Sequence, residues 1–140
     1  MITLYALLTS SDKYPDRALS PELTDEMVED GADLIRQVNA LLEDLESSAS
    51  DISSGFRPAS VNANTPNSAK KSLHMVCKAV DLVDDKDQTL AKLIAANSEL
   101  LTKHGLWLEH PDSTKGKSTN WVHLDNSSTR KDRPIRIFKP

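Results

Sequence analysis

A regular spacing of apolar residues in the first third of the chain places the strongest constraint on its fold. These residues recur every three or four positions, which is the spacing of one face of an α-helix. Ser20 and Pro21 are typical of a helix start, and Glu22 complements the positive end of the helix dipole. The pattern predicts an amphipathic helix over residues 21–46. Its apolar face consists of Leu23, Met27, Leu34, Ile35, Val38, Leu41, Leu42 and Leu45.

The size and composition of the chain indicate one folded domain. It contains 140 residues, of which 38% are hydrophobic and 27% are charged, so we expect a single domain with a buried core over residues 1–140. No apolar run is long enough to span a membrane, and the single cysteine, Cys77, excludes an intramolecular disulfide. Residues 2–8 are apolar but lack a preceding basic residue and a cleavage site. We therefore expect a strand or a packed segment there, and no signal peptide.

Charge is unevenly distributed along the chain. Residues 1–50 carry eleven acidic and three basic side chains, whereas residues 51–140 carry ten acidic and fourteen basic ones. A basic half can meet an anionic polymer such as a cell wall, but scattered charges favour an ordinary solvated surface. Nucleic acid is not expected as a partner, because the basic residues of this half are not interleaved with aromatic ones. The basic residues in question are Lys115, Lys117, Arg130, Lys131 and Arg133.

The rest of the chain predicts short strands and one further helix. Strands are predicted where β-forming or alternating residues occur, over residues 51–57, 74–83, 106–109, 120–125 and 135–138. A second helix is predicted over residues 88–103, with Gly105 as its C-cap. Residues 47–50 end the first helix, and residues 58–72 predict a long functional loop. Because most strands follow one another without a crossover helix, we expect an α+β fold with a small antiparallel sheet and packed helices.

Two of the four histidines, His74 and His123, lie in strand-like segments and are candidate metal ligands. Asp81 interrupts an apolar run, where a carboxylate needs a partner, and a metal ion is one such partner. Two histidines and one carboxylate are a common catalytic zinc set. The odd spacing from His74 to Asp81 requires that His74 precede the strand or that the strand bulge near Cys77. Spacing alone favours a simpler interpretation, in which these side chains are satisfied by hydrogen bonds in the core.

Four short blocks between residues 50 and 126 carry a family resemblance. They are Ser54-Gly55-Phe56-Arg57 followed by Asn62, Ser72-Leu73-His74, Ala79-Val80-Asp81-Leu82, and Trp121-Val122-His123-Leu124-Asp125. In order and spacing they resemble the zinc D-Ala-D-Ala carboxypeptidase and L-alanyl-D-glutamate endopeptidase superfamily, which has the Hedgehog/DD-peptidase fold. The resemblance implies that His74, Asp81 and His123 bind Zn²⁺.

The same resemblance implies that Arg57 and Ser72 hold a carboxylate or carbonyl group of the substrate. Arginine suits this task because its planar fork binds a carboxylate through two hydrogen bonds. Without the resemblance, Arg57 fits a surface ion pair and Ser72 fits a turn cap.

Two positions depart from the superfamily's pattern. Cys77 replaces a glycine, and we interpret it as a small buried hydrophobic residue. Asn120 stands where several members carry the catalytic acid, and an amide cannot accept a proton there, so we assign it to substrate binding. Glu109 is the first substitute as general base, provided that the register of its strand turns the side chain towards the metal. The alternative is that Glu109 is an exposed glutamate at a strand end. Asp125 is the second substitute, either as a base or as a partner that orients a histidine.

These features predict a zinc-dependent peptidase that hydrolyses peptide bonds in bacterial peptidoglycan stem peptides. We expect a monomer made in the cytoplasm of a bacterial host, which acts on the cell wall after release or as a virion component. A phage lysin or a virion-associated wall hydrolase fits this description. The alternative is a non-catalytic cell-wall-binding or virion structural domain that retains the fold, as Asn120 suggests.

Overall fold

The computed structural model describes residues 1–48, 51–66 and 68–140, and within these ranges the chain has an α+β fold. The helices are α1 (Leu4–Thr9), α2 (Asp25–Asp44), α3 (Ala59–Ala63), α4 (Thr89–Ala96) and α5 (Glu99–His104). The strands are β1 (Ile52–Ser54), β2 (Ala79–Asp84), β3 (Trp107–Glu109), β4 (Asn120–Asp125) and β5 (Ile137–Phe138). Short 3₁₀ helices cover Pro15–Leu19, Leu73–Val76 and Pro111–Ser113. Ala49 and Ser50 of the predicted helix end, and Asn67 of the predicted loop, lie outside the described residues.

Helix α2 confirms the predicted amphipathic helix but starts later than predicted. The hydroxyl of Thr24 caps it by accepting a hydrogen bond from the amide of Met27 at 3.1 Å. Ser20 caps only the preceding turn, where its hydroxyl accepts from the amide of Glu22. The inward face of the helix lies in the core. Its buried residues are Gly31, Leu34, Ile35, Val38, Leu41 and Leu42.

The N-terminal segment is a helix rather than a strand, although it packs on the core as expected. Thr3 caps α1 by accepting a hydrogen bond from the amide of Ala6. Leu7 and Leu8 are buried within the core cluster. No helix in the described ranges is long and apolar enough to cross a membrane.

A turn after α1 covers the outer edge of β1. The hydroxyls of Ser10 and Ser11 accept hydrogen bonds from the amides of Gly55 at 3.0 Å and Ile52 at 2.8 Å. Both serines have positive φ, 51° and 56°, in the left-handed region that L-residues rarely adopt. The turn therefore satisfies backbone donors of an edge strand that would otherwise be open.

Two other predicted elements are modified in the structure. The predicted loop over residues 58–72 contains the short helix α3. The predicted helix over residues 88–103 is interrupted between α4 and α5, where the side chain of Asn97 donates a hydrogen bond to the carbonyl oxygen of Leu93 at 2.9 Å. Short polar side chains of this kind compete with the helical backbone. The predicted C-cap is confirmed, because Gly105 ends α5 with a φ of 71°.

The sheet has the order β1-β2-β4-β3-β5, and it is mixed. The first three pairs are antiparallel, but β3 and β5 run parallel, so the expectation of a purely antiparallel sheet is wrong for this edge pair. On β4, Val122 and Leu124 are fully buried on the core face. Since side chains alternate along a strand, His123 and Asp125 share the opposite face. We call this side of the sheet the histidine face.

Candidate metal centre

The central strand pair brings two of the predicted ligands together. In the antiparallel pairing of β2 with β4, Asp81 stands directly opposite His123. Nδ1 of His123 lies 2.8 Å from Oδ1 of Asp81. Directly opposed residues of an antiparallel pair have neighbouring Cβ atoms, so the register alone is enough to produce this contact.

The third predicted ligand, His74, reaches the same point from the turn before β2. It lies in the 3₁₀ helix Leu73–Val76, and Ser72 begins that turn by accepting a hydrogen bond from the amide of His74. Cys77 ends the turn with a φ of 60°, which directs the chain into β2. His74 thus precedes the strand, which is one of the two arrangements that the odd spacing required. Nε2 of His74 lies 3.4 Å from Oδ2 of Asp81.

These three side chains form a compact donor set that could hold a metal ion. One donor atom from each lies within 4.8 Å of the others. The side chain of His74 is only 4% exposed, and those of Asp81 and His123 are 15% and 14% exposed. Two imidazoles and one carboxylate are the ligand types of a catalytic zinc site with one open position. The structure therefore supports the predicted metal ligands as a group that can hold a metal ion.

A backbone carbonyl fixes the orientation of His74. Nδ1 of His74 lies 2.9 Å from the carbonyl oxygen of Gly55, which can only accept a hydrogen bond. The proton must therefore be on Nδ1, and Nε2 faces Asp81 as the nitrogen that could bind a metal ion. Metal-binding histidines characteristically donate their other ring N–H in this way.

A carboxylate fixes the orientation of His123. Oδ2 of Asp125 lies 2.9 Å from Nε2 of His123, and Asp125 is completely buried. The other oxygen of Asp125 accepts hydrogen bonds from the guanidinium of Arg130 and, at 3.2 Å, from the amide of Ser127. Arg130 in turn stacks on the ring of Phe138, with its central carbon 3.6 Å from the ring centre. The segment after β4 therefore holds Asp125 against His123.

The charges within this group shift its protonation equilibria strongly. Burial by itself would lower the pKa of His123, but the hydrogen bonds to Asp125 and Asp81 outweigh it and raise that pKa to about 10. Burial would raise the pKa of Asp81, yet the charge of His74 and the hydrogen bond to His123 hold it well below its usual range. Without a metal, a proton on His123 thus balances the carboxylates.

Glu109 shares the face of the metal ligands. In the pairing of β3 with β4, Trp107 stands opposite Asp125 and Leu108 opposite Leu124, so one further step sets Glu109 beside His123. Burial raises the pKa of Glu109. The charge of His123 lowers this pKa, whereas the charges of Asp81 and Asp125 raise it. The sequence could not fix this register across a long polar loop. The structure places Glu109 beside His123 on the histidine face, and its role as a general base stays a prediction.

Arg57 and Ser72 meet beside His74. A guanidinium nitrogen of Arg57, Nη2, donates to the hydroxyl of Ser72 at 3.2 Å. Ser72 also caps the 3₁₀ helix, as the simpler interpretation of that residue proposed. The amide of Arg57 donates to the carbonyl oxygen of His74 at 3.0 Å, and Nε of Arg57 is buried without a hydrogen-bond partner. The side chain of Arg57 therefore retains unused donor capacity next to the candidate metal centre.

The structure does not bring Asn120 to this centre. Its amide nitrogen donates to the carbonyl oxygens of Asp85 at 3.1 Å and Lys86 at 3.3 Å, and its oxygen accepts from the amide of Gly116. These contacts hold together the two turns at the start of β4. Cys77 is fully buried, and burial raises the pKa of its thiol to about 12, which agrees with an unreactive core residue.

Comparisons with protein-family models, curated proteins and solved structures gave no significant match to this chain. Two contacts of the site had no signal in the sequence, although Gly55 itself stands in a block that carries the resemblance. The role of Gly55 depends on its carbonyl oxygen, which every residue has, and Arg130 stands among other basic residues of a polar segment.

Proposed function

We propose that this chain is a zinc-dependent peptidase of the Hedgehog/DD-peptidase fold that hydrolyses peptide bonds in bacterial peptidoglycan stem peptides. The observation that carries the proposal is the convergence of His74, Asp81 and His123, whose donor atoms lie within 4.8 Å of one another. The order of the sequence blocks that resemble the zinc carboxypeptidase and endopeptidase superfamily supports the same conclusion. The setting is a phage lysin or virion-associated hydrolase that reaches the wall after release or with the virion.

Each side chain of the site has a chemical task in this proposal. His74, Asp81 and His123 hold the zinc ion, which supplies Lewis acidity to the scissile carbonyl group and to water. Glu109 accepts a proton from the attacking water and passes it to the leaving amine, and its raised pKa brings it closer to neutral pH. Arg57 binds a substrate carboxylate through its free donors, with Ser72 holding the guanidinium.

The alternative function is a non-catalytic domain that binds the cell wall or forms part of a virion. One observation favours it: Asn120 occupies the position of the acid in the superfamily's pattern, and its amide is used in structural hydrogen bonds. In that case the histidine face keeps its metal site for stability, and Glu109 is a half-buried strand residue without a catalytic task.

Hydrolysis of purified cell walls and of a synthetic stem pentapeptide by the zinc-loaded chain separates the two functions. The products are identified by mass spectrometry, which also shows which bond is cut. Chelation should abolish cleavage, and added zinc should restore it. Asp81→Asn should lose zinc and activity, whereas Asp33→Asn, which removes only an exposed ion pair with Arg36, should keep both. A zinc-loaded chain that cuts no wall peptide but sediments with purified walls supports the binding domain instead.

A further inference from the structure

A second arginine, Arg17, contacts the residue that precedes Arg57. Arg17, in the 3₁₀ helix Pro15–Leu19, donates a hydrogen bond from Nη1 to the carbonyl oxygen of Phe56 at 3.3 Å. The amide of the same peptide group belongs to Arg57 and donates to the carbonyl oxygen of His74 at 3.0 Å. A single peptide group therefore joins Arg17 to the main chain of a metal ligand.

The guanidinium of Arg17 is held in place before any ligand arrives. Its central carbon lies 3.8 Å from the centre of the Tyr14 ring, which is a cation–π contact. The ring of Tyr14 is itself about half exposed, so this contact lies at the surface and remains open to a ligand. Stacking on one side and a hydrogen bond to Phe56 on another restrict the side chain while leaving several of its five N–H donors free.

These two positive charges lack negative partners. Within residues 1–48, 51–66 and 68–140, neither Arg17 nor Arg57 forms an ion pair with a carboxylate. Burial lowers the pKa of both. Tyr14 raises the pKa of Arg17 and the charge of Arg57 lowers it, whereas the charge of Asp81 raises the pKa of Arg57. Nearby Asp81 is already shared between His74 and His123. Like charges that are partly buried without counter-ions destabilise the free protein, and an anionic ligand relieves that repulsion.

We propose that Arg17 and Arg57 together bind a carboxylate group of the substrate beside the metal centre, with Arg17 as a binding residue in addition to Arg57. The identity of the ligand as a stem peptide rests on the proposed function. Such a peptide offers two carboxylates, one at its C-terminus and one on the α-carbon of its γ-linked D-glutamate. Both present the planar pair of oxygens that an arginine fork recognises.

Binding of four synthetic peptides distinguishes the C-terminal carboxylate from the α-carboxylate of D-glutamate. The probe is the N-acetylated pentapeptide L-Ala-γ-D-Glu-L-Lys-D-Ala-D-Ala, its C-terminal amide, its glutamyl α-amide and the doubly amidated form. Calorimetric titration of the full-length zinc-loaded chain gives the dissociation constants, and mass spectrometry checks that each peptide stays intact. The wild-type chain should bind one of the two monoamides about tenfold more weakly than the parent peptide, since a hydrogen bond to a charged group is lost.

Substitution of Arg17 tests whether it makes this contact. Arg17→Gln should weaken binding of the parent peptide about tenfold and leave binding of the discriminated monoamide unchanged, because the partner carboxylate is already absent. Arg17→Lys keeps the charge but loses the fork, so its affinity for the parent peptide should lie between those of the wild-type chain and Arg17→Gln. It takes the place of Arg17→Gln in the test if that variant does not fold. Arg36→Gln removes an exposed arginine of α2 and should change nothing.

Three results overturn the inference. In the first, Arg17→Gln loses the same affinity for all four peptides, which would mean that no carboxylate is its partner. The other two are a wild-type chain that binds the acid and amide peptides equally and a wild-type chain that does not bind the parent peptide. The readout is binding, so it is separate from the test of hydrolysis. A chain that selects one carboxylate through Arg17 but cuts no peptide keeps this site and loses the peptidase proposal. A chain that cuts stem peptides while Arg17→Gln binds them normally gives the opposite result.

Discussion

Nδ1 of His74 lies 2.9 Å from the carbonyl oxygen of Gly55, and this contact links the candidate metal centre to the N-terminal helix. On its other side, the amide of Gly55 donates to the hydroxyl of Ser10 at 3.0 Å. The next amide, of Phe56, donates to the carbonyl oxygen of Leu7 at 2.9 Å. The orientation of a metal ligand thus depends on how closely α1 approaches the strand end at Gly55.

Gly55→Ala should therefore destabilise the fold and the metal centre together. A Cβ atom at this position would lie 1.9 Å from the carbonyl oxygen of Leu7, and a backbone atom cannot move away easily. We expect a loss of about 3 kcal/mol or more in the free energy of unfolding, measured by urea denaturation. Gly31→Ala is the matched control, because its Cβ meets only side-chain carbons at 3.1 Å or more and should cost less than about 1 kcal/mol. Equal stability of both variants would show that α1 does not pack so closely.

Zinc should raise the thermal stability of the chain. A ligand that binds only the folded state adds about 4 kcal/mol when its concentration is a thousand times its dissociation constant. Elemental analysis should find about one zinc per chain, and chelation should lower the melting temperature. His74→Ala should abolish both effects, whereas His104→Ala, which removes a histidine paired with Asp44, should keep both. Full zinc content in a His74→Ala, His123→Ala double variant would contradict the ligand assignment.

Zinc binding should release about one proton at pH 7. The pKa of His123 is raised to about 10 in the metal-free protein, so zinc must displace a proton to reach its nitrogen. Apparent zinc affinity should rise about tenfold per pH unit between pH 7 and 9. Calorimetry in buffers of different ionisation enthalpy counts the proton. Binding without proton release would mean that His123 is neutral before zinc arrives.

The same pKa shifts predict how the stability of the metal-free chain depends on pH. The folded pKa of His123 lies above its unfolded value of about 6.5, so its stabilising contribution is complete below pH 6.5 and is lost as the pH rises towards 10. The pKa of Asp81 is lowered, so its contribution is present above about pH 4 and is lost in acid. Urea denaturation in the presence of chelator should therefore show a maximum between about pH 4 and 6.5.

The sequence predicted the centre of this site better than its surroundings. The odd spacing from His74 to Asp81 required either that His74 precede the strand or that the strand bulge near Cys77, and the structure has the first arrangement, a turn that ends at Cys77. The parallel pairing of β3 with β5 could not be predicted, because β5 is only two residues long and follows a polar segment without periodicity. Arg17 lies in a 3₁₀ helix that no sequence pattern marked. Such contacts depend on tertiary packing between distant segments, and local spacing does not encode them.

Asn120→Asp should destabilise the chain without improving hydrolysis. The substitution replaces an amide that donates to two carbonyl oxygens, those of Asp85 and Lys86, with a carboxylate that is repelled by both. We expect a loss of about 1–3 kcal/mol in the free energy of unfolding. Asn64→Asp, in which only a hydrogen bond to the exposed end of α3 is lost, is the milder control. Faster hydrolysis with unchanged stability would instead place Asn120 at the reacting groups, as the superfamily's pattern suggests.

Glu109→Gln should abolish hydrolysis while leaving zinc content intact. It removes a proton acceptor on the histidine face without removing a ligand, and loss of a general base costs about 10²–10⁴-fold in rate. Asp125→Asn is the companion variant. Because Asp125 contacts His123 and Arg130, its loss should weaken zinc binding but should not lower the turnover of the zinc-saturated chain. Turnover at saturating zinc, measured together with the zinc dissociation constant, separates the two roles. If Glu109→Gln keeps full turnover and zinc-saturated Asp125→Asn loses it, then Asp125 is the base and Glu109 is a strand residue with a raised pKa.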